Sequence, residues 1–269
     1  MKICFVIPTY NDEASLKKLI DNINKELKNF TLYFIIVDDC SEDDYKTLTN
    51  VQKIDLIKLE KNQGSQKAIS IGLEYAKDKD LEFDYLIIMD SDGEDKPADL
   101  QLLISEAHKK NNNSIIFASR KKRMEILPFK FFYFFYKLIF RILTGRKINF
   151  GNYSCIPKKF LNEIVKISFL KLHFPAAIIK SKLTYSDIPC DKGPRYAGDS
   201  KMSFNNLFIH GFKALSIFLK EIVIRTLIFI FINNVILILF LQFNLVVKIN
   251  FIFLLFITPL LIYLYKLNK

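Results

Sequence analysis

The chain predicts an α/β domain built on a parallel-type sheet, followed by apolar helices suited to a membrane. Three observations carry this reading. Up to residue 118, short apolar runs alternate with amphipathic stretches of helical spacing, the pattern of strand–helix units. Toward the end, Thr226–Val247 gives 22 residues without a charge and Ile249–Tyr265 another 17, separated only by Lys248. In between, Leu86-Ile87-Ile88-Met89 stops abruptly at Asp90, Asp92 and Glu94. A buried strand ending in this way puts carboxylates at the carboxyl edge of a sheet, where open α/β folds bind ligands.

The elements follow in order. Residues 3–7 form an apolar run closed by Pro8, and Asn11 or Asp12 can cap a helix whose Leu16, Leu19, Ile20, Ile23 and Leu27 share one face. Leu32–Val37 is a second strand ending in Asp38-Asp39, and a third lies near Ile54–Leu59. After Asn62-Gln63-Gly64-Ser65 comes a helix through Ala68, Ile69, Ile71, Leu73 and Ala76, then the strand Tyr85–Met89. Pro97 opens a helix through Leu100, Leu102, Leu103 and Ala107, and Ser114–Ala118 supplies another strand. Pro128–Leu143 is crowded with Phe and Tyr, yet Lys130, Lys137 and Arg141 form a narrow cationic stripe on it. A helix of that kind fits the plane of a membrane interface. Phe204–Lys220 is a second such helix, running into the first apolar span.

The 269 residues are 51% hydrophobic and 25% charged, with a net charge of +11. That charge argues for a membrane surface and against nucleic acid, because of where it sits. Between Arg120 and Lys147 there are nine Lys/Arg and one acidic residue, Glu125, interleaved with aromatics; basic plus apolar suits anionic lipid. The opening Lys2–Ile7 run is too short for a signal peptide. Cys4, Cys40, Cys155 and Cys190 show no metal-ligand spacing and read as free thiols of a reducing compartment. The first apolar span is long enough to cross a hydrocarbon core of roughly 30 Å and the second is at the short limit. Lys213, Lys220 and Arg225 before the pair, with Lys266 and Lys269 after it, place both termini in the cytoplasm. Asn233 and Asn234, embedded in the first span, are expected to face the other helix or a neighbouring subunit rather than lipid.

Five segments in order resemble glycosyltransferase family 2, most closely its polyprenyl-phosphate branch. They are Val6-Ile7-Pro8-Thr9-Tyr10-Asn11-Asp12-Glu13, Val37-Asp38-Asp39-Cys40-Ser41, Asn62–Ala68 with Gly72, Asp90–Pro97, and Arg195-Tyr196-Ala197-Gly198-Asp199-Ser200-Lys201. The resemblance implies a GT-A type, nucleotide-sugar-binding fold over residues 1–215, including an interface helix at about 128–143. It further implies a juxtamembrane helix and two transmembrane helices at about 226–247 and 249–265 within residues 216–269. Pro8, Tyr10, Asp12, Asp38, Asp39 and Asp90 become the donor-binding set. Arg120, Arg123, Arg195, Ser200 and Lys201 become the phosphate or acceptor set, and Asp90, Asp92 and Arg195 the catalytic one.

The chemistry agrees. A departing nucleoside diphosphate gathers negative charge, so a cation belongs beside it; Asp92 and Glu94 are the expected ligands of Mg2+ or Mn2+, with Asp90 orienting the sugar or the ion's waters. Arg195 suits a bidentate phosphate clamp, with Lys201 as a point charge. Relatives often carry an acidic residue in the region of Asn149-Phe150-Gly151-Asn152-Tyr153, and none is present here. A sugar hydroxyl acceptor needs a base as attack develops, whereas a polyprenyl phosphate is already anionic. The expectation is inverting transfer of a hexose from a nucleotide sugar to a polyprenyl phosphate at the cytoplasmic face of the membrane. Transfer to a glycan hydroxyl and a non-catalytic membrane scaffold of the same fold stay open, and the resemblance allows a homo-oligomer.

Overall fold

The computed structural model describes residues 1–42, 45, 53–120, 127–198, 204–240 and 243–268; at 120, 127–134, 204–205, 237–240 and 243–246 it describes the backbone only. Arg123, Ser200 and Lys201 lie outside the described residues. The chain divides into two compact units, Met1–Met124 with Asn149–Lys201, and Glu125–Ile148 with Met202–Lys269.

Among the described residues the first unit holds seven strands: β1 (Lys2–Thr9), β2 (Thr31–Asp38), β3 (Ile54–Lys58), β4 (Tyr85–Ile88), β5 (Ile115–Arg120), β6 (Phe150–Pro157) and β7 (Tyr185–Cys190). They form one sheet in the order β3-β2-β1-β4-β6-β5-β7. The first four are parallel, as the alternation of elements predicts. β6 runs antiparallel to both β4 and β5, so the sheet is mixed rather than wholly parallel. Its sequence hides it: Gly151, Asn152 and Ser154 break any continuous apolar run, although Tyr153, Cys155 and Ile156 are buried. β7, likewise unanticipated, alternates Tyr, Asp and Pro with Ser, Ile and Cys and pairs parallel with β5.

The helices of this unit are α1 (Glu13–Glu26), α2 (Ser65–Asp78), α3 (Leu100–Lys109), α5 (Leu161–Ile164) and α6 (Phe174–Ser181), with α4 (Leu127–Thr144) in the other unit. β1 is buried from Ile3 to Thr9 on both faces. Ile3, Phe5 and Ile7 share one core with Leu16, Leu19, Ile20 and Ile23 of α1 and Leu100 and Leu103 of α3. On the other face α2 lies so close that a Cβ on Gly72 would come within 2.5 Å of the Val6 side chain, well inside van der Waals contact. That packing seats the amino end of α2 beside the carboxyl ends of β1 and β2.

Among the described residues the elements of the second unit are helices: α4, α7 (Phe204–Ser216), α8 (Leu219–Phe240) and α9 (Phe243–Leu267). The stretch expected as one helix over 204–220 breaks after Ser216, where Phe218 turns edge-on to Phe140 of α4 at 5.5 Å. Lys248, expected to separate the two apolar segments, lies inside α9, so the junction falls earlier in the chain. Among the described residues one helix segment, Val247–Leu267, is long and apolar enough to cross a membrane. Its 21 residues span about 30 Å. Phe231 and Phe256 are 69% and 72% exposed, so these helices do not spend their apolar faces on this chain's own core. Asn233 and Asn234 both donate to carbonyls of their own helix, Phe229 at 2.8 Å and Ile230 at 2.9 Å, and Asn234 Oδ1 also accepts from Asn250 Nδ2 of α9 at 3.3 Å.

Candidate active site

Four parallel strands end together, and the register fixes which residues meet at that edge. Thr9 of β1 sits opposite Asp38 of β2, which in turn sits opposite Lys58 of β3. Asp38 is fully buried; the Ser41 N–H donates to its Oδ1 at 3.0 Å. Its Oδ2 has Lys58 Nζ at 3.9 Å and is buried without a hydrogen-bond partner. Asp39 is spent differently. The backbone N–H groups of Gln63 and Gly64 each donate to one of its carboxylate oxygens at 2.7 Å. Burial pushes its carboxyl up from the ordinary value, against the pull of those two donors. Asp39 thereby anchors the Asn62–Ser65 turn that starts α2.

The loop after β1 is pinned by a residue the sequence gave no reason to single out. The buried Tyr45 hydroxyl reaches Thr9 Oγ1 at 3.0 Å and Ser41 Oγ at 3.2 Å, and accepts from the Asp12 N–H at 3.3 Å. The Asn11 N–H donates to Ser41 Oγ at 2.7 Å. Pro8 is buried at the end of β1, while Tyr10 stands 39% exposed at the mouth of the loop. Asp12 occupies the cap position of α1 but makes no side-chain cap bond. Its Oδ2 accepts from Ser91 Oγ at 3.3 Å and lies 3.9 Å from Arg195 Nη2.

Through Ser91 that carboxylate touches the acidic loop after β4. The Asp90 N–H donates to Asp95 Oδ2 at 3.1 Å, and the Glu94 N–H to Asp92 Oδ1 at 2.9 Å. A segment from the end of β7 is strapped along this loop. The Gly193 N–H donates to the Glu94 carbonyl at 2.8 Å and the Tyr196 N–H to the Asp92 carbonyl at 2.9 Å. Arg195 Nη1 donates to Asp92 Oδ2 at 2.6 Å, and Lys192 pairs with Glu94. Gly93 has φ +83°, and a Cβ there would stand 2.4 Å from the Tyr196 ring; only glycine suits both demands. The Tyr196 hydroxyl accepts from Asn22 Nδ2 at 2.9 Å, which ties the strap to α1.

Burial, then the Asp90 charge, pushes Asp92 up to about 6 even with Arg195 and the Glu94 N–H pulling the other way. The loop sets four carboxylates, Asp90, Asp92, Glu94 and Asp95, against the two cations of the strap, Lys192 and Arg195. Arg195 Nε is buried without a hydrogen-bond partner. Among the described residues no three carboxylate, imidazole or thiolate groups converge to hold an ion by themselves. The donor set still fits a magnesium- or manganese-type cation, which takes one or two carboxylates and completes its shell with water and substrate phosphate.

The strap thus brings Arg195 to Asp92 and Asp12, three residues singled out from sequence. Of the other phosphate candidates, Arg120 ends β5 with its backbone opposite Cys190. Sequence reasoning passed over Tyr45, Gln66, Asn22 and Lys192. For Lys192 a signal was present, since Lys192-Gly193-Pro194-Arg195 sets two cations about a tight bend.

The profile of glycosyl transferase family 2 matches residues 4–165. This chain belongs to that family. Over 219 residues it is 28% identical to the undecaprenyl-phosphate 4-deoxy-4-formamido-L-arabinose transferase of Proteus mirabilis, covering 77% of this chain and 64% of the relative. Over 229 residues it is 26% identical to the dolichol-phosphate mannosyltransferase of Pyrococcus furiosus, covering 77% and 61%. The chain thus spans less than two thirds of the length of either. The glucosyl-3-phosphoglycerate synthase of Mycobacterium tuberculosis, solved with Mn2+, UDP-glucose and phosphoglyceric acid, superposes with a TM-score of 0.58 at 14% identity. That match covers 82% of this chain and 79% of the synthase. The fold is α/β of the GT-A type with a mixed sheet.

Proposed function

We propose that this family 2 member transfers a hexose from a nucleotide sugar to a polyprenyl phosphate, with inversion, at the cytoplasmic face of a membrane. The observation that carries the proposal is the Asp92–Arg195 pair. A half-buried cluster of four carboxylates stands beside a guanidinium that still has an unsatisfied N–H. Such a site suits a diphosphate that brings its own cation. Asp92, with Asp90 or Glu94, would hold Mg2+ or Mn2+, which neutralises charge on a departing diphosphate. Arg195 shifts part of its hydrogen bonding from Asp92 to phosphate oxygen, and Lys192 adds a second positive charge along the same strap. Asp38, with its free oxygen at the end of β2, receives the nucleoside.

An acceptor phosphate oxygen attacks the anomeric carbon as the bond to the diphosphate breaks, and the nucleoside diphosphate leaves. Asn152, the β6 residue facing Asp90, is an amide and removes no proton. An acceptor already anionic at neutral pH needs none removed. The apolar α9 and the exposed Leu138, Ile139 and Ile142 of α4 support a site of action at a membrane surface carrying anionic lipid. In this reading residues 1–215 form the catalytic domain, and α8 and α9 form a hairpin that returns the C-terminus to the cytoplasm.

The test is purified full-length protein in detergent with a panel of nucleotide sugars, undecaprenyl phosphate and Mg2+ or Mn2+. The expected result is a metal-dependent radiolabelled lipid product. Label found only on a glycan hydroxyl acceptor would overturn the lipid assignment, and no turnover of any donor would overturn the enzymatic one. For topology, a reporter after Lys269 should be active only inside, and one placed at residues 241–242 only outside.

A further inference from the structure

We infer that Gln66 and Asn152 are positioning residues that aim the Asp90 carboxylate through a one-way relay of amides. The inference rests on Asp90 being a donor-site group, as in the reading above. The relay starts at the first residue of α6, where the Phe174 N–H donates to Gln66 Oε1 at 2.6 Å. A backbone N–H can only donate, so the atom it meets must be the oxygen of the Gln66 amide. The nitrogen then faces the other way, and Gln66 Nε2 donates to Asn152 Oδ1 at 3.0 Å. That in turn leaves Asn152 Nδ2 to donate to Asp90 Oδ1 at 3.4 Å.

The placement is built in. β4 and β6 are antiparallel with Ile88 opposite Ser154. Continuing that register by two residues sets Asp90 opposite Asn152. Gln66 is buried in the first turn of α2, the helix held against β1 by the Gly72 contact. Three elements, α6, α2 and β6, thus converge on one carboxylate, and reversing any amide would place like atoms against each other. A buried amide with a mismatched neighbour is costly, so the network holds a single arrangement. Asp90 receives a donor on one oxygen, which fixes the direction of the other.

The experiment uses full-length protein in detergent and the variants Gln66→Ala, Gln66→Glu, Asn152→Ala, Asp90→Ala and the double Asn152→Ala/Asp90→Ala. Two readouts are taken. In thermal melting, the shift caused by Asn152→Ala should shrink by at least half in the Asp90→Ala background. In turnover, Asn152→Ala and Gln66→Glu should each lose at least tenfold in kcat, with donor KM and nucleoside-diphosphate affinity within twofold of wild type. Gln66→Glu is the decisive variant. It keeps size and the Phe174 contact but presents an acceptor to Asn152, so it should lower the melting temperature and lose kcat although it opens no cavity. Additive melting shifts, or kcat within twofold of wild type, would overturn the relay. Should the wild type turn over with a hydroxyl acceptor or by hydrolysis alone, the acceptor reading fails and the same variants judge the relay on that turnover. Should no donor turn over, the relay stands or falls on the melting cycle.

Discussion

Two acidic pairs end the strands that flank β1, Asp38-Asp39 at the end of β2 and Asp90 to Asp92 after β4, and they are neutralised in different ways. Asp39 is held by two backbone N–H groups of the Gln63–Gly64 turn, partners that cannot leave without unfolding the start of α2. Asp92 is held by the Arg195 guanidinium and the Glu94 N–H; in the proposed function that guanidinium exchanges its carboxylate for a phosphate. The first pair then serves as scaffold and the second as a charge store. The lesson is that adjacent carboxylates at a strand end take their roles from the mobility of their partners more than from their own chemistry.

The largest expected effect tests the charge store. Asp92→Asn should lower transfer by about three orders of magnitude, the scale for removing a group that stabilises transition-state charge, while leaving thermal melting close to wild type. Chelation of divalent cations should reproduce the loss in the wild type. A large fall in melting temperature for Asp92→Asn would make Asp92 a scaffold like Asp39 and erase the distinction.

Next comes the exchangeable partner. Arg195→Ala removes a charge-assisted contact in a partly dry site and should cost about 3 kcal/mol, or roughly 100-fold in kcat/KM. Arg195→Lys should recover part of this, because the charge returns without the planar fork. Steady-state kinetics of the two variants, read against donor affinity, check the claim. Equal activity of both with wild type would leave the strap a purely structural element.

The contrast between the pairs was only half legible in the sequence. Asp38, Asp39, Asp90 and Asp92 announce themselves because each follows an apolar run that must be a buried strand, and parallel strands share a carboxyl edge. The Arg195 motif was visible too. What periodicity could not give was the partner of each carboxylate, since Gln63, Gly64 and Lys192 are ordinary turn residues until the topology brings them in. β6 was missed for a related reason: Gly151, Asn152 and Ser154 spoil its apolar pattern because that strand serves the site as well as the core. Lys248 misled in the other direction. A single charge near the end of a helix costs little when a long side chain can reach polar surroundings, so it did not mark a break.

A smaller effect tests the scaffold half. Asp39→Ala leaves the part-buried Gln63 and Gly64 N–H groups without their acceptor, at a cost of about 2 kcal/mol in stability. The melting temperature should fall by about 4 to 8 °C, the usual response of a domain this size. Activity should follow the loss of the α2 turn. A variant that melts like wild type but binds nucleotide poorly would make Asp39 a ligand-reading residue instead.

The smallest effect lies just after the two aspartates. Cys40 has φ +68°, a left-handed conformation that a side chain disfavours by roughly 1 kcal/mol. It turns the chain toward Ser41, whose N–H donates to Asp38 Oδ1 at 3.0 Å. Cys40→Gly relieves that strain but adds freedom to the unfolded chain, worth about 0.5 kcal/mol or more, and it deletes a weak Sγ contact with the Glu60 carbonyl at 3.4 Å. The balance is a gain of about 0.5 kcal/mol at most, or 1 to 2 °C in melting temperature. Differential scanning calorimetry resolves a shift of this size. A clear loss of stability would mean that the thiol contact, not tolerance of strain, holds the turn, and the rigidity of the first pair would then originate in the side chain of Cys40 as much as in the backbone donors of Asp39.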